Sequence, residues 1–100
     1  MLDVDVLKAL GSEKRLAIME WLREPAAHFP PQRDGDLVEV GVCSVSIADR
    51  LGVSRPTAST HLTLLTRTGL LRAEKVRQWT FYRRDEQRIA EVKRMFDEGW

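Results

Sequence analysis

A three-residue break between two short amphipathic runs constrains this chain more than any other feature. In SVSIADRL (Ser44–Leu51) the residues Ile47, Ala48 and Leu51 share one helical face, and Ser44 is placed to cap the run. Gly52 ends it as a residue that tolerates left-handed backbone, and Val53 turns inward. Ser54 then caps a second helix with Pro56 in its first turn, where a missing N–H does no harm. Along that helix Ala58, Leu62 and Leu65 recur at i, i+4 and i+7, which leaves Arg55, Thr57, Ser59, Thr60 and His61 on or beside the outer face. A solvated helix would ordinarily carry Glu and Lys there. Helices over 44–51 and 54–68, joined this tightly, predict a helix-turn-helix whose second helix reads a DNA major groove.

Charge follows the same segment. The net charge is only +1, yet from Arg50 to Arg84 eight basic residues (Arg50, Arg55, Arg67, Arg72, Lys75, Arg77, Arg83, Arg84) face one acid, Glu74, so this stretch carries +7 and the rest −6. A merely solvated basic face would intersperse acids, whereas a phosphate backbone selects their absence. After Gly69, two β-prone stretches, Leu70–Glu74 and Trp79–Arg83, flank a turn over Lys75–Gln78 and predict a hairpin over 70–83. Trp79 and Phe81 alternate onto one strand face and read as core rather than as a stacking platform for single strands. A helix-turn-helix followed by a basic hairpin is a winged helix, mainly α with a small β-hairpin.

The remaining segments frame it. Helix 3–10 carries Val4, Leu7 and Leu10 at helical spacing, and Ser12 caps a helix over 12–24 with Leu16, Met19, Leu22 and either Ile18 or Trp21 inward, stopped by Pro25. A long connector, 25–42, follows, with an exposed turn from His28 to Asp36 and alternation enough for a short strand from Leu37 to Val42. The last helix, 85–98, has Ile89, Val92 and Phe96 on one stripe with Met95 beside it. A single domain spanning 1–100 with so apolar a terminal helix is expected to pair with a second copy through Val4, Leu7, Ile89, Val92, Met95 and Phe96.

Other chemistry finds little support. No long uncharged apolar run or leader pattern is present, so a cytoplasmic protein without membrane contact is expected. A Gly-rich phosphate loop, a Ser-His-Asp set and a paired-carboxylate site are all missing, so neither catalysis nor a cofactor is expected. His28, His61, Asp34, Asp36 and Glu39 lack metal-ligand spacing. Cys43, the single cysteine, is flanked by Val42 and Val45 and reads as a small buried hydrophobe, with metal or thiol sensing as its alternative role.

Three blocks together resemble the ArsR/SmtB family of winged-helix repressors: LKALGSEKRLAIMEWL its first two helices, IADRLGVSRPTASTHLTLLTRTGLL its helix-turn-helix, and EKVRQWTFYRR its wing. The most specific part is Ser54-Arg55-Pro56 through Ser59-Thr60-His61-Leu62. The resemblance implies a homodimer built by the first and last helices that leaves its operator when an inducer binds. Two departures stand out. The family's Cys-x-Cys metal pair falls here on Cys43 and Val45, and the final segment from Asp85 holds no histidine for the family's other metal sites. The long connector is the second departure.

Within this frame Arg55, Thr57 and Thr60 are the base-reading candidates, and Ser54 and Ser59 are caps or phosphate contacts. His61 either meets the groove or hydrogen-bonds at the edge of the core. Lys75, Arg77 and Gln78 would follow the backbone or enter the minor groove. The expected operator is an inverted repeat in double-stranded DNA with half-sites about 34 Å apart. A winged helix used purely for protein interaction is the competing reading, and an unknown small molecule or ion is the expected inducer.

Overall fold

Burial of one face of the second helix sets the whole arrangement. The computed structural model describes residues 2–99, with elements in the order α1 (Val4–Leu10), α2 (Glu13–Trp21), α3 (Pro25–His28), β1 (Val42–Cys43), α4 (Ser44–Leu51), α5 (Arg55–Arg67), β2 (Leu71–Val76), β3 (Trp79–Arg84) and α6 (Glu86–Gly99). Ala58, Leu62 and Leu65 of α5 are wholly buried, and α5 packs on α1, α2, α4 and β2. Each fully buried leucine contributes roughly 1.5–3 kcal/mol. That stripe therefore fixes the rotation of α5 and decides which of its side chains face outward. α4 closes as expected: Gly52 has φ +70°, and the N–H groups of Gly52 and Val53 donate to the carbonyls of Asp49 and Ala48. Ser54 Oγ caps α5 by accepting the Thr57 N–H at 3.3 Å.

The three strands form an antiparallel sheet ordered β1-β3-β2. The hairpin is longer than the sequence suggests, with Lys75 paired to Thr80 and Val76 to Trp79, so the turn is only Arg77-Gln78. Phe81 is buried, while Trp79 is half-buried.

The connector is the largest correction. Instead of a strand over 37–42, residues 37–40 form a turn, because Asp36 Oδ1 accepts the N–H groups of Val38 at 2.8 Å and Glu39 at 3.0 Å. Only Val42 and Cys43 reach the sheet, pairing with Tyr82 and Phe81. Upstream, Phe29 is buried edge-on against Trp21. Gln32 staples the rest, donating to the carbonyls of Gly35 and Gly41 and accepting the Cys43 N–H at 2.7 Å. Cys43 takes the N-cap position of α4 without a side-chain bond, and Ser44, expected there, is the first helical residue.

Smaller corrections concern the outer helices. α2 ends at Trp21 rather than residue 24, since Pro25 drives Glu24 out of the helical region, to φ −135° and ψ 75°. Val6 and Ala9 of α1 face the core, whereas Val4 and Leu7 are 61% and 41% exposed; likewise Leu16 is exposed and Ile18 buried. Ile89 and Val92 of α6 belong to the protomer's own core, which leaves Val4, Leu7, Phe96 and half-buried Met95 as apolar surface. Arg88 reaches Asp3 at 3.6 Å and so joins α6 to the start of α1. No described helix is long and apolar enough to cross a membrane.

Candidate nucleic-acid interface

The N-terminal half of α5 presents Arg55, Thr57, Ser59 and Thr60 to solvent. Their hydroxyls are already partly committed. Ser54 Oγ donates to Thr57 Oγ1 at 3.0 Å, which leaves the Thr57 hydroxyl proton free to point outward. Thr60 Oγ1 donates to the Pro56 carbonyl at 3.2 Å, so it offers lone pairs and a methyl group rather than a proton. Ser54 thus serves as the cap, one of its two expected roles.

At the tip of the hairpin Arg77 has φ +59°, the only non-glycine residue with positive φ among those described. A left-handed φ costs an L-residue about 1–2 kcal/mol, and glycine would remove that cost. Lys75, Arg77 and Gln78 are all exposed. The positive φ is the one that a two-residue hairpin turn demands of its first residue, and it sets Arg77 at the exposed tip.

Between these two elements lies a cleft of about 300 Å³ lined by Ser44, Arg55, Pro56, Ser59, Thr80 and Tyr82. It brings the first turn of α4, the first turns of α5 and the wing strand to one place. Thr80 and Tyr82 are not among the binding candidates of the sequence, where Ser44 figures only as a cap. Burial pushes the Tyr82 phenol up from its ordinary value, so its hydroxyl keeps its proton and remains a donor. Four hydroxyls and a guanidinium around one hollow form a surface suited to a phosphate oxygen.

Tertiary structure also sorts the basic residues. Arg84 is largely buried and donates to Glu86 at 2.9 Å and to the Met19 carbonyl at 3.1 Å. Arg72 lies 3.7 Å from Asp85, and Arg50 stacks over Trp21 at 4.9 Å. These three serve the fold. Arg55, Lys75 and Arg77 have no acidic partner among the described residues.

His61 is half-buried, with Nδ1 2.9 Å from Arg15 Nη1, the hydrogen bond at the edge of the core that was one of its two expected roles. Burial first, then the charges of Arg15 and Lys14, hold its pKa below the ordinary 6.5. The folded protein therefore favours neutral His61. Its contribution to stability is complete above pH 6.5 and declines as pH falls from there through the lower folded value. Urea midpoints measured at about pH 8 and about pH 5 should separate in the parent protein and move closer together in His61→Gln.

Cys43 is half-buried, and no group of three or more His, Cys, Asp or Glu among the described residues could hold a metal ion. His28 sits 3.5 Å from Arg50, apart from any ligand set.

A tightly turned helix pair whose second helix has a polar, acid-free outer face, followed by an antiparallel basic hairpin, defines a winged helix-turn-helix DNA-binding regulator. Comparison with known proteins narrows the class. The chain is 44% identical over 92 residues to YbzH of Bacillus subtilis, an uncharacterized HTH-type transcriptional regulator, covering 92% of each protein. It is 33% identical over 100 residues to the arsenical resistance operon repressor of Escherichia coli, covering all of this chain and 74% of the repressor. An ArsR-like transcriptional regulator from Rhodococcus superposes with a TM-score of 0.67 at 26% identity, over 95% of this chain and 76% of that one. No protein-family model matches the chain. The protein belongs to the ArsR family of transcriptional regulators, and it is not an enzyme.

Proposed function

We propose that this protein is a homodimeric repressor that binds an inverted-repeat operator and leaves it in response to a signal. The observation that carries the reading is the cleft joining Arg55 and Ser59 of α5 to Thr80 and Tyr82 of β3. It makes helix and wing one continuous surface, as a reader of groove and flanking backbone requires. Arg55 and Thr57 read base edges, with Thr60 accepting a base donor; Ser59, Ser44, Thr80 and Tyr82 hold a phosphate; Lys75, Arg77 and Gln78 follow the backbone beyond it. Val4 and Leu7 of α1 with Met95 and Phe96 of α6 are the apolar surface residues that would meet the second copy. Two recognition helices related by the dimer axis would fall in successive major grooves, and occupancy of a promoter would block transcription. One protomer has only Cys43 as a thiol, so we assign no soft metal to the signal.

The test compares two arginines. Arg55→Ala should weaken specific binding by about 1–3 kcal/mol and relax the preference at one base pair. Arg77→Gly should weaken binding on operator and random duplexes alike while raising the melting temperature, because glycine relieves the left-handed φ at the turn. Equal losses on operator and random DNA for Arg55→Ala would remove it from base reading.

A further inference from the structure

Arg15 lies on α2, behind the surface described above, yet its guanidinium is fixed at three points. Nε donates to the Ala9 carbonyl at 2.6 Å, Nη2 donates to the Lys8 carbonyl at 3.2 Å, and Nη1 meets His61 Nδ1 at 2.9 Å. The two carbonyls belong to the last turn of α1, where that of Lys8 also accepts the Gly11 N–H at 3.3 Å. The third contact has one chemical solution. Guanidinium carries five donors and no acceptor and stays protonated in proteins, so Nδ1 must be the accepting lone pair. The neutral ring then carries its proton on Nε2. That atom has no hydrogen-bond partner among the described residues and is not buried. His61 stands one helical turn beyond exposed Thr57 and, half-buried, borders the outer face of α5.

We propose that Arg15 is a positioning residue that locks His61 as the Nε2–H tautomer and so makes it a specificity-determining donor. Resting on the DNA-binding reading above, this assigns His61 a defined preference: it favours a base edge that offers guanine N7 or O6, adenine N7 or thymine O4, and disfavours cytosine, whose edge offers only an amino group. The opposite tautomer would invert that preference. Fixing the tautomer also fixes the ring plane, since the guanidinium that holds it is itself tied to α1. Protonation of the ring would turn Nδ1 into a donor facing Arg15, and both charged groups acting on the ring, Arg15 and Lys14, are cations of α2 that oppose it.

Three variants test this: Arg15→Met, His61→Ala and the double variant. Long-range nitrogen–proton spectra of the imidazole should show Nδ1 unprotonated and Nε2 protonated in the parent chain. In Arg15→Met the His61 pKa should rise and the single tautomer should give way to a mixture. In selection from a randomised duplex pool, Arg15→Met should lose roughly three- to tenfold preference at one base pair. His61→Ala should lose preference at that same base pair, and the double variant should be no worse there than His61→Ala. Arg15→Lys, which keeps a donor, should restore part of the preference. An arginine that merely braces α1 would instead weaken binding equally on every sequence and add to His61→Ala. That result, or a protonated Nδ1 in the parent chain, overturns the proposal while leaving the DNA-binding reading intact. A parent chain that selects no duplex overturns both.

Discussion

Raising the salt from about 50 to about 200 mM should weaken DNA binding by about three orders of magnitude. The figure counts three exposed cations, one at the start of the recognition helix and two at the wing tip, that have no acidic partner among the described residues. Arg55, Lys75 and Arg77 are exposed on the helix and wing, and two copies would bring about six phosphate contacts to a dimer. Each contact releases condensed counterions, so the logarithm of affinity falls linearly with that of salt concentration, with a slope of about −0.9 per phosphate neutralised. The fourfold change in salt then gives about a thousandfold loss. Fluorescence anisotropy of a labelled duplex across a salt series measures the slope directly. Lys75→Ala should reduce its magnitude by about two in a dimer. A flat response would contradict phosphate contact and favour a winged helix that binds protein.

Replacement of Gly41 by alanine should be the most damaging small substitution in the connector. Gly41 has φ +118°, and a Cβ there would sit 2.5 Å from the Tyr82 carbonyl oxygen and 2.6 Å from its carbon. Those atoms are backbone of the central strand and cannot swing aside. The left-handed strain costs about 1–3 kcal/mol, and forcing β1 off β3 adds a similar amount. The sum is a large part of the roughly 5–15 kcal/mol that holds a small domain folded. Gly52→Ala separates the two causes, because Gly52 has φ +70° but open space where its Cβ would stand. Its loss should be only about 1–2 kcal/mol. Urea unfolding of both variants gives the comparison, and equal losses would show that φ alone, not the close approach, sets the cost at Gly41. Because Cys43 follows at the N-cap of α4, displacement of β1 would also loosen the first helix of the DNA-binding pair.

Local chemistry made much of this protein legible in one dimension. Ser54, Pro56 and Gly52 act on their immediate neighbours, and an i, i+4, i+7 stripe as sharp as Ala58, Leu62 and Leu65 admits one rotation of the helix. The helix-turn-helix, the hairpin and the outward set from Arg55 to Thr60 follow from those local rules. In α1, DVDVLKAL contains two overlapping periodic sets, and packing on α2 and α5 puts Val6 and Ala9 in the core while leaving Val4 and Leu7 exposed. The strand expected from Leu37 was lost to a single carboxylate, since the two hydrogen bonds that Asp36 accepts outweigh β-propensity in a segment with no neighbour to pair with.

By itself, then, the sequence determined which residues of Ser44–Gly69 face outward, and that the helix and hairpin are basic where the rest of the chain is acidic, because caps, turns and periodicity act within a few residues. Tertiary structure alone decided which of those cations are free. Arg50, Arg72 and Arg84 look like Arg55 and Arg77 in a charge count, but Trp21, Asp85 and Glu86 hold them to the protein. It also brought Ser44, Thr80 and Tyr82 to the foot of the recognition helix, and carried Arg15 across 46 positions to His61. Such pairings depend on how elements pack, and no spacing along the chain encodes them.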